Sequence, residues 1–132
     1  MQINKAKREQ IFNKFNRKCA YCGNDITISK MQIDHIIPKE YFVRHVKNKI
    51  NVPYFLKHLT EFDVNNMDNL FPSCGSCNNY KHSNYLELFR MELQEQLKRL
   101  NDRSTNYKLA KRFNQLIETP TPILFYFEKI IK

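Results

Sequence analysis

The sequence predicts an α+β fold, mainly helical, organised as a single domain over residues 1–132. Three observations carry that expectation. Leu86, Phe89, Leu93, Leu97 and Leu100 recur at helical spacing. Ile33, Ile36 and Ile37 form a β-branched run closed by Pro38. Two Cys-x-x-Cys pairs, Cys19/Cys22 and Cys74/Cys77, offer a staple for a chain whose 132 residues bury only a thin core.

Taken in chain order, residues 4–16 read as a helix, with Asn4 as N-cap and Ala6, Ile11, Phe12 and Phe15 on its apolar side. Its outer surface is basic: residues 1–18 hold six Lys or Arg and one Glu. The first cysteine pair follows, then strand character from Ile26 to Ile37, interrupted near Ser29-Lys30. Within 40–68, Pro53 suits the first turn of a helix reaching about Phe62, with Tyr54, Leu56 and Leu59 as its apolar residues. Asn65-Asn66 reads as a turn. Ser83 or Asn84 caps a long helix, Asn84 having Glu87 three residues on in a capping-box pattern. A turn at Asn101-Asp102 leads to a helix over about 106–117. Pro120 and Pro122 then break the chain before Ile123–Phe127, a short strand or helix covering the core.

Lys and Arg number 22 against 13 Asp and Glu, a net charge of +9 with a pI near 9.5. That balance favours a polyanionic partner, nucleic acid ahead of a membrane surface. No apolar run approaches the ~20 residues of a membrane span, and Met1-Gln2-Ile3-Asn4-Lys5 lacks the apolar core of a signal peptide. The chain is therefore expected in the cytoplasm, where paired cysteines more often bind metal than form disulfides.

The two cysteine pairs have identical spacing. Two intervening residues let a tight turn aim both sulfurs at one ion, and two such turns make the tetrahedral sulfur set that Zn²⁺ prefers. The only glycines, Gly23 and Gly75, both lie in these turns, where a positive φ carries no steric cost. The alternatives are two disulfides or four unrelated cysteines. A fully cysteine-ligated zinc leaves no open position, so its role is structural.

The segments Asp34-His35-Ile-Ile-Pro38, Asn69-Leu70 and Cys77-Asn78-Asn79-Tyr80-Lys81-His82 lie within or just beyond the span between the pairs. In these the chain resembles the HNH, or ββα-metal, nucleases over about residues 5–90. That family carries Asp-His on the first strand of a hairpin, Asn in the following loop, and Asn or His at the start of a helix. Many members frame the motif with two Cys-x-x-Cys pairs. The resemblance implies a ββα-metal core in which His35 is the general base and Asn69 orients it. Asp34 and Asn78 are then ligands of a catalytic Mg²⁺ or Mn²⁺. His82, four residues after Asn78, is a further candidate ligand by analogy with a His-x-x-x-His pair; the alternative leaves it on phosphate or solvent. Lys81 matches the basic residue that commonly follows the motif and is expected on phosphate. Arg17, Lys18 and Lys39 are expected nucleic-acid contacts too.

The chemistry suits these residue types. Phosphodiester hydrolysis needs a base for water and charge stabilisation at the phosphoryl oxygens. An imidazole titrates near neutrality, and carboxylate and amide oxygens suit a hard cation. Successive strand residues point to opposite faces, so Asp34 and His35 need a local distortion to share a site. His45 and His58 have no partner at a useful spacing and read as ordinary surface residues. The chain departs from the family pattern in lacking a small Gly-Gly loop after Pro38 and in inserting residues 40–68. The C-terminal extension, 91–132, completes the core, grips DNA through Arg99, Arg103, Lys108, Lys111 and Arg112, or meets a protein partner. The expected function is hydrolysis of DNA, double-stranded by expectation. A zinc-stapled binding or adaptor module without turnover is the alternative.

Overall fold

A computed structural model describes residues 3–130; positions 1–2 and 131–132, the ends of the expected domain and part of the leader reading, lie outside it. Helix α1 (Lys5–Phe12) starts where expected, with the Asn4 side chain accepting from the Lys7 N–H. It stops at Phe12 rather than residue 16, because Asn16 and Arg17 turn the chain with left-handed φ values of 57° and 60°. Phe15 is nevertheless buried, in the loop. Strand β1 (Gln32–His35) is the only regular part of the expected 26–37 strand. It pairs antiparallel with β2 (Leu70–Ser73), setting Asp34 opposite Phe71 and His35 opposite Leu70. Pro72 is tolerated because the sheet has two strands, and its carbonyl accepts the Ala20 N–H from the first cysteine turn.

Between the strands lie a 3₁₀ turn (Lys39–Tyr41), helix α2 (Phe42–Asn48), and 3₁₀ turns at Tyr54–Leu56 and Met67–Asn69. Two expectations fail here. The helix at 42–48 was not legible, and the one placed at 53–62 reduces to a single turn. Leu56 and Leu59 are buried, but Tyr54 is 76% exposed, so the apolar stripe that would hold a longer helix is missing.

Helices α3 (Gly75–Lys81), α4 (Leu86–Gln94), α5 (Gln96–Arg103), α6 (Thr105–Arg112) and α7 (Tyr126–Ile130) complete the chain. The expected long helix breaks at Glu95, and its N-cap is Tyr85, without a side-chain bond, instead of Ser83 or Asn84. Leu86 and Phe89 are buried, whereas Leu100 is exposed. Asn101 and Asp102 stay inside α5, and Ser104 caps α6 through the Tyr107 N–H. Phe125 and Phe127 are buried and the backbone amides of Tyr126 and Phe127 donate to Tyr21 and Ala20, so the last segment covers the core as expected. The core is largely aromatic: Phe71 lies 4.8 Å from both Phe15 and Phe127, and Tyr21 5.3 Å from both Phe89 and Phe125. No helix among the described residues is long and apolar enough to cross a membrane.

Candidate metal centre and adjoining cleft

All four cysteines are unpaired, and their sulfurs lie within 4.8 Å of one another. A Zn–S bond of ~2.3 Å implies a tetrahedron edge of ~3.8 Å, and the Cys22–Cys74 separation is 3.8 Å. A hydrogen bond with Cys77 holds the Cys19 thiol at about 4, burial pushes Cys22 up to about 11, and Cys77 is raised through its bond to the Cys19 thiolate. The four cysteines are thus arranged to hold a zinc ion. The first turn closes through Gly23 N–H to Cys19 O and Cys19 N–H to Asn24 O. Gly23 has φ 79°, and a Cβ there would meet the Tyr126 ring at 3.1 Å. Gly75 differs from expectation: it opens α3 without a positive φ, and a Cβ there would make only ordinary contact, 3.4 Å, with the Gln32 side-chain amide. The second turn is the helix start itself, with Cys74 as N-cap and its sulfur accepting from the Cys77 N–H.

Beside this cluster, β1 and α3 wall an open cleft of about 580 Å³ lined by Asp34, His35, Lys39, Asn78 and His82 among others. Two buried side chains hold the chain at the end of β1. Asn69 accepts the Ile37 N–H at 2.9 Å and donates to the carbonyls of Val64 and Ile37. Lys81, 0% exposed, donates to the carbonyls of His35 and Ile36 and lies 3.1 Å from Asp34 Oδ2. Asp34 and His35 both line the cleft from a regularly paired strand, and the chain just after them is held from the loop and from α3. Asn69 touches neither Asp34 nor His35 by hydrogen bond; it ties the chain after β1 to the loop before β2. Lys81 corrects its expectation: a sealed ammonium with three internal acceptors is not placed to touch phosphate.

Asp34 is 5% exposed. Burial pushes its carboxyl up and the Lys81 ammonium opposes that shift. Its Oδ2 also accepts from the Tyr21 hydroxyl, which burial keeps protonated. Oδ1 makes no hydrogen bond among the described residues. Asn78 donates its amide N–H to Gln32 Oε1 at 2.6 Å, leaving its own oxygen uncommitted. His35 Nε2 lies 2.9 Å from the Asn65 amide oxygen, which can only accept, so Nε2 carries the proton and Nδ1 keeps a lone pair. Burial lowers the His35 pKa from its usual value, which favours the neutral ring. Two oxygens and one imidazole nitrogen at one cleft suit a hard divalent cation and a proton acceptor.

Other residues fall outside this group. His82 lines the cleft but follows the last residue of α3 at φ 51°, exposed to solvent. Among the described residues only the cysteines bring three or more Cys, His, Asp or Glu ligands together, a grouping that leaves out amide oxygens such as that of Asn78. Arg17 and Lys18 do not line the cleft; Lys18 is paired with Asp25 at 2.6 Å. Lys39 stands exposed at its rim. His58, expected to lack a partner, lies 2.8 Å from Asp68. Arg99 is tied to Glu92 and Lys111 to Glu118, whereas Arg103, Lys108 and Arg112 form no ion pair among the described residues. Tyr21, Gln32 and Asn65 escaped sequence reasoning. Gln32 read only as part of a strand segment and Asn65 as a turn former, and Tyr21 carried no reading of its own.

No family model, curated protein or solved structure matches the chain.

Proposed function

We propose that the chain is a divalent-metal-dependent nuclease of the HNH type, hydrolysing phosphodiester bonds of DNA, with a structural zinc on Cys19, Cys22, Cys74 and Cys77. The observation that carries this reading is that Asp34, His35 and Asn78 line one cleft, each with an acceptor atom (Asp34 Oδ1, His35 Nδ1, Asn78 Oδ1) outside the hydrogen bonds described above. The oxygens are the proposed ligands of Mg²⁺ or Mn²⁺, which when bound neutralises charge on the phosphoryl group. His35 Nδ1 takes the proton of the attacking water as its oxygen bonds to phosphorus and the bond to the leaving 3′-oxygen breaks. Asn65 holds the ring in the tautomer this requires, and Lys39 meets the incoming phosphate at the rim. The net charge of +9 supplies attraction to the polyanion.

A second reading, a binding module that does not cleave, draws support from Lys81: a buried ammonium already balances the Asp34 charge. Incubating supercoiled plasmid with the protein and Mg²⁺, Mn²⁺ or EDTA separates the two. Nicking or linearisation that needs the metal and disappears in His35→Ala is expected, since losing a general base costs about 10²–10⁴-fold in rate. Equal cutting by His35→Ala would overturn the assignment, and no cutting under any condition favours the binding module.

A further inference from the structure

Next to the cleft lies a second recess of about 440 Å³, within the ~300–1,000 Å³ typical of small-ligand pockets. The two are neighbours. Ser83 lines both, and the chain passes from the cleft at Lys39 and Glu40 into the recess at Tyr41. The recess is built from α2, the loop after it and the start of α4, mostly outside the residues proposed for the chemistry.

Its walls are aromatic. The His45 ring lies 6.3 Å from Tyr41, at 78°, and 6.0 Å from Tyr85, at 50°. Tyr41 remains 43% exposed, an open ring face beside a concave surface. His45 Nδ1 is 2.7 Å from the Ile50 carbonyl, so that nitrogen donates and Nε2 is left as an acceptor. Asn51 and Asn84 add amide groups, and no acidic residue lines the recess. Arg44 stands exposed at its edge without an ion pair among the described residues.

Rings for a π-face, amides and an imidazole nitrogen for polar edges, and a free guanidinium together describe a receptor for a nucleotide. A base inside a duplex cannot enter such a recess; it must be single-stranded or turned out of the stack. We propose that this recess binds an unstacked nucleobase of the strand whose phosphate occupies the neighbouring cleft, so that the protein acts on unpaired nucleotides. The proposal rests on the nuclease reading for the identity of the cleft.

Binding is measured with the full chain, zinc loaded and without added divalent metal, so that no strand is cut. The probes are an oligonucleotide of about eight nucleotides carrying 2-aminopurine at one position, and its duplex. The expected results are preference for the single strand at matched salt and a change in 2-aminopurine fluorescence as the base stacks. Tyr41→Ala should weaken single-strand binding roughly tenfold with duplex binding unchanged, since stacking one base contributes about that much. Tyr41→Phe should restore it. Unchanged circular dichroism and zinc content establish that Tyr41→Ala is folded, and Arg44→Ala provides a second variant at the recess edge. Equal affinity for single strand and duplex with unchanged fluorescence overturns the proposal, as does a folded Tyr41→Ala that binds like the wild type. Plasmid cutting without a fluorescence change keeps the nuclease reading and removes the recess. A fluorescence response sensitive to Tyr41 but without cutting keeps the recess and removes the nuclease.

Discussion

At the scale of single residues, the site depends on groups whose roles are set by what they touch. Lys81 and Asp34 form a buried pair, 0% and 6% exposed in their side chains. Removing one partner of such a pair strands the other charge, typically at a cost of ~3–5 kcal/mol. Lys81→Met should therefore destabilise the protein by about that amount in denaturant unfolding. Adding Asp34→Asn should recover part of the loss, because the stranded charge is gone. A double mutant whose loss equals the sum of the singles would show that the pair is not coupled. Asn65 belongs at this scale as well. Asn65→Ala frees the His35 ring from its 2.9 Å partner without removing a reactant. Plasmid cleavage should slow, though less than the ~10²–10⁴-fold expected of His35→Ala, with DNA affinity unchanged. A rate matching the wild type would mean that the ring needs no such hold.

The C-terminal helices show how much one element can depend on a few polar contacts. Helices α5 and α6 present Leu100 and Leu109 to solvent, as does Phe113 just after α6, and polar ties link the two helices. Glu118 gathers Lys111, Asn101 and Tyr107. The Lys111 hydrogen bond, the largest influence, depresses its carboxyl from 4.5 to about 2. A depressed folded-state pKa stabilises above the unfolded value, so this contribution is present above pH 4.5 and fades as pH falls toward 2. The group is exposed and the effect small. Glu118→Gln should lower the thermal midpoint at neutral pH, and the gap from wild type should close near pH 2; a gap independent of pH would assign the loss to shape instead of charge. What the sequence made legible here follows the same physics. Asn4, the cysteine turns and the buried ends of Leu86 and Phe89 were readable because local chemistry decides them. The break at Glu95, helix α2 and the single turn at Tyr54 were not, because tertiary burial decides them. The pattern picked out Asp34, His35 and Asn78, which the fold brings to one cleft, and Asn69, which it buries in the turn before β2. Lys81 was expected on phosphate because a basic residue carries no sequence mark of burial.

Across the whole molecule, the cysteine cluster and the cleft are one mechanical unit. Tyr21 lies inside the first cysteine turn and donates to Asp34, so folding that turn fixes one wall of the cleft. Cys74 caps α3 and Cys77 lies within it; the next turn carries Asn78 and Lys81, which fix the other wall. Ala20 and Tyr21 are hydrogen-bonded in turn to β2 and to the 126–127 backbone, linking the C-terminal segment to the same point. A zinc ion joining the two turns would hold both walls at once, and structural zinc typically contributes ~10–16 kcal/mol to folding, comparable to the whole stability of a small domain. Cys74→Ser should therefore do more than lose its metal. It should lose near-ultraviolet circular dichroism from the aromatic core and both DNA cleavage and cooperative unfolding, and stripping zinc with a strong chelator should do the same to the wild type. Acidification should release the metal as protons compete for the thiolates. One zinc per chain is the expected stoichiometry. A metal-free protein that keeps its near-ultraviolet spectrum and thermal midpoint would show that the aromatic core holds the two walls without the staple.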